Sequence, residues 1–400
     1  MMKKYIKRSS YFKKIKPFID KDLVKIIVGQ RRVGKSYFML QVMDEIKKIH
    51  PRANIIYINK ESYDFVNIYD DKQLMKSIKR KEKKGKNYLF IDEVQEIKNW
   101  QKVIRSLNAT GNFDIYCTGS NADLLSGELA TLLAGRYIEI KVYSLSYKEF
   151  LRFHNLDDAE TSLQKYWQFG GLPYLIHLDL QDEVVYDYLK NIYNSILLKD
   201  VIARYNIRNV SFLENLTQYL ADNIGSFISS SKISKFLKNQ KLEVHNATIL
   251  EYLNFLAKTF FVAEVNRRDV VGKKIFENNP KYYFQDLGLR NVLVGYRPND
   301  VAKILENAVY NHLKVLGYNI YVGKLDKYEI DFVAEKDNEK IYIQVAYKIH
   351  KNNIDREFGN LLRIKDGYSK IVISMDEMIG KNTYKGIKTL HIRDFLINFK

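Results

Sequence analysis

Lys25-Ile-Ile-Val-Gly-Gln-Arg-Arg-Val-Gly-Lys-Ser36 decides the fold. Ile26, Ile27 and Val28 make a short apolar run that stops at Gly29, as a buried strand does. Four residues separate Gly29 from Gly34, and Lys35 and Ser36 open a helical pattern continued by Met39, Val42, Met43 and Ile46. This is the phosphate-loop pattern G-x-x-x-x-G-K-[ST] in the strand–loop–helix setting it requires. The glycines let the backbone wrap a phosphate chain, and the N–H groups and dipole at the helix start attract negative charge. Gly29, Gln30, Arg31, Arg32, Val33, Gly34, Lys35, Ser36 and Tyr37 are therefore the candidate cradle of a nucleoside triphosphate. Lys35 is expected to reach the β and γ phosphates, and the Ser36 hydroxyl to ligate Mg²⁺.

On the upstream side, Met1 to Asp22 are basic and stand where they would cover a nucleotide base. Downstream, Pro51 stops the first helix near His50, and Asn54–Ile58 reads as a second strand. The lysine-rich segment from Lys76 to Lys86 reads as a solvated helix ended by Gly85. Tyr88-Leu-Phe-Ile-Asp-Glu-Val-Gln95 carries the second signal. Its apolar residues feed into Asp92 and Glu93, as a buried parallel strand with two carboxylates at its C-terminal edge, where open α/β sheets bind ligands. Asp92 is expected to hold the Mg²⁺ through water and Glu93 to be the base that activates the attacking water.

After a helix near Trp100–Leu107, Phe113-Asp-Ile-Tyr-Cys-Thr-Gly-Ser-Asn121 reads as a further buried strand ending in a small polar cluster. Ser120 or Asn121 at its tip is placed to touch the γ-phosphate or the lytic water, and Asn121 is equally suited to cap a helix. A helix from about Ala122 to Leu133 leads into Gly135-Arg136, just before a strand Tyr137–Val142. Arg136 there reads either as a surface ion-pair residue or as one that reaches a nucleotide on a neighbouring subunit.

Gly29–Ser36, Leu89–Glu93, Thr118-Gly-Ser-Asn121 and Gly135-Arg136 together resemble the AAA-related P-loop ATPases of prokaryotes. More narrowly, the chain resembles a group in which such an ATPase precedes an uncharacterised C-terminal region. Ser144–Phe150, Gly170-Gly-Leu-Pro173, Lys199-Asp-Val201, Lys281–Gly288, Leu305-Glu-Asn307 and Glu329-Ile-Asp-Phe332 extend the likeness over nearly the whole chain. The resemblance implies ATP as the nucleotide and a sheet in which the Lys35 and Asp92 strands flank the Asn121 strand. It also implies a sensor role for Asn121 and an arginine-finger role for Arg136, hence an oligomer.

Tyr147 to about Asn206 is helical by period, broken at Gly170-Gly171, and stands where an ATPase has its lid. Residues from about Val210 to Arg290 read as a winged helix. As a DNA reader it would present His245, Asn246 and Thr248 to the major groove and set Arg267, Arg268, Lys273 and Lys274 of a basic hairpin on phosphates. Glu251 would oppose that, and a helix-turn-helix serving as a structural joint is the competing reading. From about Ala302, a helix and three strands follow the order of restriction-type nucleases. Glu306 and Asp331 fit that pattern, but Gln344 replaces the expected glutamate and Ala346 the lysine, with Lys348 one pleat further along. A nuclease-like fold without cleavage activity is expected.

Length and composition bound these readings. With 400 residues the chain has room for two to four domains, and a hydrophobic fraction of 46% is ordinary for a globular protein. No apolar run approaches bilayer length, and the start lacks the apolar centre of a signal peptide. The single cysteine, Cys117, fits a reducing, cytoplasmic setting. A net charge of +18 points toward nucleic acid, discounted because Lys, Asn, Ile, Tyr and Phe are all over-used. The expected architecture is α/β: a P-loop NTPase parallel sheet (1–145), a helical lid (146–206), a winged-helix domain (207–299) and a small α/β nuclease-like domain (300–400). The expected function is Mg²⁺-dependent ATP hydrolysis that moves a region contacting double-stranded DNA. The alternatives are an ATP-gated switch that docks a protein partner and, third, an ATP-dependent nuclease; no membrane partner is expected.

Overall fold

Ile26–Val28, Leu89–Ile91 and Ile115–Cys117 are apolar at successive positions, so both faces of their strands must be covered. Parallel strands linked by helices meet that demand. In the computed structural model, which describes residues 5–125, 133, 135–239, 243–270, 275–350, 353–376 and 383–400, all five core strands are parallel. They are β1 (Val24–Val28), β2 (Asn54–Asn59), β3 (Asn87–Asp92), β4 (Phe113–Gly119) and β5 (Tyr137–Lys141), in the order β2-β3-β4-β1-β5. β1 and β3 flank β4, as the family resemblance implied, and β1, β3 and β4 are buried along their whole length. This is the P-loop NTPase sheet.

Helix α1 (Ser9–Ile15) precedes the sheet, and α2 (Lys35–Ile49), α3 (Asp71–Lys81) and α4 (Trp100–Ala109) make its crossovers. The Asp70 side chain accepts from Gln73 N–H to start α3, which ends at Lys81 rather than running on to Lys86. Below the ligand edge, Lys25 and Asp114 form a fully buried ion pair between β1 and β4. Asp114 also accepts from the Asp20 N–H at 2.8 Å and the Tyr116 hydroxyl at 2.9 Å, which satisfies its remaining lone pairs.

The chain divides into two compact units, Met1–Tyr143 with Lys258–Phe260, and Ser144–Ala257 with Phe261–Lys400. In the second unit, α5 (Tyr147–His154), α6 (Glu160–Phe169) and α7 (Asp182–Ser195) are followed by a π-helical stretch, Ile196–Ala203. Next come α8 (Val210–Asp222), α9 (Ser230–Asn239) and α10 (Asn246–Lys258), then the hairpin β6 (Val262–Asp269) and β7 (Ile275–Phe284).

The rest of the second unit is α11 (Leu287–Val294), α12 (Val301–Leu316), β8 (Asn319–Leu325), β9 (Tyr328–Lys336), β10 (Glu339–Ala346), α13 (Ile354–Glu357), α14 (Gly359–Leu362), β11 (Ser369–Ser374), β12 (Thr383–Tyr384), β13 (Ile387–His391) and α15 (Ile392–Asn398). Strands β8 to β10 are antiparallel and β10 pairs in parallel with β11, the mixed sheet anticipated for the C-terminal region. One sheet runs across the expected 299/300 boundary. Arg267, Arg268 and Asp269 of β6 pair in parallel with Val322, Gly323 and Lys324 of β8, so the hairpin belongs to the C-terminal sheet.

Several of the later motifs close this unit. Asp286 accepts from Gly171 N–H at 2.9 Å and from Leu289 N–H at 3.2 Å. A Cβ on Gly170 would stand 2.2 Å from the Asp286 carboxylate, and one on Gly288 would stand 2.1 Å from Phe169 O. The Asn307 amide accepts from Phe284 N–H and donates to Phe284 O, both at 2.8 Å, fastening α12 to β7.

Candidate nucleotide-binding site

The loop after β1 is built by its glycines. Gly29 has φ +153 and Gly34 φ +93, and Arg32 also takes a positive φ, of 70. A side chain at Gly29 would have its Cβ 2.1 Å from Val142 O, so nothing larger fits between the loop and the end of β5. The Arg8 guanidinium donates to Val33 O at 3.2 Å and to Tyr143 O at 2.8 Å, which sets the N-terminal segment against the outside of the loop.

Lys35, 4% exposed, folds back over the loop and donates to Gly29 O and Gln30 O, each at 3.0 Å. Its Nζ lies 3.9 Å from Glu93 Oε1. Gly34 is the N-cap of α2, and no side chain caps that helix start. Gln30 is buried, yet among the described residues neither its Oε1 nor its Nε2 has a hydrogen-bond partner. Buried polar atoms are normally paired. An orphaned amide beside an uncapped helix N-terminus fits a bound phosphate chain, whose oxygens would accept from such donors. Ser36 is half-buried in the first turn, Tyr37 is exposed, and Arg31 ion-pairs with Glu61 at 3.9 Å.

At the tip of β3, Asp92 is 2% exposed. One of its oxygens accepts from the Thr118 hydroxyl and the other from the Tyr57 hydroxyl at 3.3 Å. Burial and the Asp92 charge together push the Tyr57 phenol above its ordinary pKa, so it remains a donor. Glu93 takes the left-handed conformation, φ 54 and ψ 54, unusual for a residue with a Cβ. Its N–H donates to Thr118 Oγ1 at 3.0 Å and its carboxylate accepts from the Gln95 amide. Thr118 on β4 thus ties both acidic residues at the tip of β3 at once. Ser120 and Asn121 are buried just beyond β4, and Asn121 Oδ1 accepts from Asp123 N–H at 2.6 Å, the capping contact. Lys35, Asp92, Glu93 and Asn121 therefore lie along one edge of the sheet.

Arg136 is exposed at the other edge. Its carbonyl accepts from Val24 N–H at 2.9 Å, beside the N-terminal end of β1 and a strand length from Gly29. Leu125 ends the short 3₁₀ turn that begins at Ala122, and the rest of the helix expected to follow lies mostly outside the described residues.

Of the residues read as a DNA surface, Arg267 and Arg268 have other partners. Asn246 is exposed at the first position of α10 and Thr248 is half-buried. Arg267 and Arg268 are on strand β6 rather than on a loop tip. Arg267 stacks 4.4 Å from the centre of the Phe227 ring, and Arg268 pairs with Glu335 at 2.7 Å. Lys273 and Lys274 lie outside the described residues.

Of the nuclease-like set, Glu306 on α12 and Asp331 on β9 converge. The cation between them is Lys281 of β7, at 2.9 Å from Glu306, 2.6 Å from Glu329 and 4.0 Å from Asp331. Burial opposes the charge on Lys281, but the three carboxyl groups outweigh it and hold the ammonium above its ordinary pKa. Burial, then the Glu306 charge, push the Asp331 carboxyl well above the usual range. Gln344 is buried on β10, while Lys348 is exposed past the end of that strand. Among the described residues, no helix is long and apolar enough to cross a membrane.

Comparison with known proteins follows the same division. Residues 21–151 match the AAA domain family, and residues 160–300 match a domain of unknown function, DUF8612. An uncharacterized protein of Haemophilus influenzae is 38% identical, covering 99% of this chain and all of its own length. An uncharacterized protein of Methanocaldococcus jannaschii is 33% identical over 84% of this chain and 77% of its own. Among solved structures, a Walker-type ATPase of Pyrococcus abyssi superposes with a TM-score of 0.51 at 17% identity, covering 72% of this chain and 96% of that one.

Proposed function

The chain belongs to the prokaryotic AAA-related P-loop ATPase family, and we propose that it binds Mg·ATP at the edge of β1, β3 and β4 and hydrolyses it. The observation that carries this reading is the approach of Lys35 Nζ to within 3.9 Å of Glu93, beside an Asp92 oriented by Thr118 and Tyr57. In this assignment residues 29–37 wrap the phosphates, Lys35 neutralises charge on the β and γ groups, and Ser36 and Asp92 hold the metal. Mg²⁺, when bound, offsets phosphate charge as the γ-phosphoryl departs. Glu93 takes a proton from the attacking water, and its left-handed backbone, held by Thr118, aims the carboxylate at the loop. Asn121 contacts the γ-phosphate from the tip of β4. Arg136, at the far edge, acts only on a nucleotide of another copy, so this role requires an oligomer.

The test is binding of a fluorescent ATP analogue with Mg²⁺. Lys35→Ala is expected to lose binding by a factor of about 100, the worth of roughly two charge-assisted hydrogen bonds. Unchanged affinity in Lys35→Ala, with the fold intact by circular dichroism, would refute the site.

We further propose that turnover is coupled to the second unit. Two readings of that unit remain in play. DNA contact is supported by the net charge of +18 and by the exposed start of α10 at His245 and Asn246. The protein-docking switch is supported by Arg267 and Arg268, whose guanidinium groups are engaged with Phe227 and Glu335. Gel shifts across a salt series separate the two. Retention that falls steeply between about 50 and 200 mM salt supports DNA, and no retention at low salt with or without ATP supports the switch.

A further inference from the structure

Lys281 is 3% exposed, and its ammonium is surrounded by the carboxyl groups of Glu306, Glu329 and Asp331. The Tyr283 hydroxyl, two residues along the same face of β7, donates to Glu306 at 2.6 Å. Val345 N–H donates to Asp331 Oδ2 at 2.8 Å. Across the antiparallel β9–β10 register, one step beyond the pair of Phe332 with Ile343, Gln344 faces the Asp331 side. Among the described residues its buried Oε1 has no hydrogen-bond partner.

In a metal-dependent nuclease such a group of acids holds a divalent cation, with oxygens about 2.0–2.6 Å from the ion. We propose that the Lys281 ammonium is the resident cation of this cluster, standing in for the metal, and that the C-terminal sheet therefore works without metal and without cleaving phosphodiesters.

Three further observations support the assignment. First, the ammonium occupies the place a metal would take: it stands within 4.0 Å of all three carboxylates, and with it there no group of three or more His, Cys, Asp or Glu among the described residues is arranged to hold an ion. Second, the residue that carries the cation is fixed through its main chain. Phe227 bridges to Lys281 in the β manner, and Ile228 N–H donates to Pro280 O at 3.0 Å. Third, that same segment roofs the cluster. The Phe227 ring centre is 5.4 Å from Lys281 Nζ, and a Cβ at Gly225 would stand 3.1 Å from the Glu306 carboxylate. The segment thus covers the Lys281 and Glu306 side of the cluster. The ammonium clamps β7, α12 and β9 together as a fixed ionic centre.

Mn²⁺ binding followed by electron paramagnetic resonance on the nucleotide-free full chain tests this. Wild type is expected to show no bound Mn²⁺ that depends on Glu306, and its melting temperature to be the same in EDTA and in 1 mM Mn²⁺, about a saturating level for carboxylate sites of modest affinity. Lys281→Met is expected to melt lower, to gain one Mn²⁺ site, and to recover stability when that ion binds; the added substitution Glu306→Gln removes the gain. A folded Lys281→Met that acquires no Mn²⁺ site overturns the assignment. Should Lys281→Met fail to fold, wild type and Glu306→Gln decide it. Mn²⁺ bound by wild type and lost in Glu306→Gln, or plasmid nicking by wild type that Asp331→Asn abolishes, contradicts it, and the absence of both upholds it.

Discussion

Replacing Gly29 by alanine isolates the geometry on which the nucleotide site depends. The new Cβ would lie 2.1 Å from Val142 O and 3.2 Å from Val33 Cγ2. An ordinary contact needs more than 1 Å of extra room, and the obstacle is backbone directly after β5 that cannot rotate away. Val142 N–H also donates to Val28 O at 2.8 Å, so pushing the carbonyl aside strains the last rung between β5 and β1. Overpacking costs about 1–3 kcal/mol, the positive φ about 1 kcal/mol more, and a weakened backbone bond about 1 kcal/mol. The sum is about 3–5 kcal/mol, equivalent to a drop of roughly 10–16 °C for a unit of this size. Gly34→Ala, in an ordinary left-handed conformation at the start of α2, should cost only about 1–2 kcal/mol. Urea unfolding read by circular dichroism, with the two units fitted as separate transitions, measures both. If Gly29→Ala unfolds within 1 kcal/mol of Gly34→Ala, by the contact limits used here, the close approach of Val142 to the loop is wrong.

Other consequences are equally specific. Thr118→Val removes the hydroxyl that donates to Asp92 and accepts from Glu93 N–H; kcat for ATP should fall at least about tenfold with KM nearly unchanged, since the interaction serves the transition state. Lys25→Met leaves the fully buried Asp114 without its cation and should cost about 3–5 kcal/mol in the first unit, with Asp114→Asn recovering part of that in the double variant. His312 is buried on α12 and its pKa is lowered to about 4, with burial the main cause. The folded state keeps it neutral while the unfolded chain protonates near 6.5. Its contribution is therefore present above about pH 6.5 and lost as pH falls toward 4, about 3 kcal/mol in all. His312→Gln should flatten the acid limb of the second unit's stability curve.

The phosphate loop was legible because its chemistry is local. Two glycines, a lysine and a serine at fixed spacing each answer a backbone or charge requirement within a dozen residues. Asp92 and Glu93 were legible for a related reason, since an apolar run ending in acids marks a buried strand tip. Thr118 and Tyr57 were not, because their contacts come from the adjacency of β2, β3 and β4, which spacing does not reveal. Lys281 was visible within a motif but had no assigned task. Its partners on α12 and β9 are 25 to 50 residues away in the chain and meet it only through the fold. The pairing of β6 with β8 was hidden in the same way, and it places the basic hairpin, whose Arg267 and Arg268 were expected on phosphates, in the C-terminal sheet. Arg136 shows the limit of reading an edge from sequence, since a residue before a strand and one after it sit at opposite ends of the sheet.

Phosphate release from ATP by wild type and Glu93→Gln, with binding of a fluorescent ATP analogue measured on the same preparations, puts the catalytic claim to its sharpest test. The expected result is Mg²⁺-dependent turnover by wild type, undiminished binding by Glu93→Gln, and a loss of turnover of about 100-fold or more in that variant. Turnover in Glu93→Gln equal to wild type would contradict it.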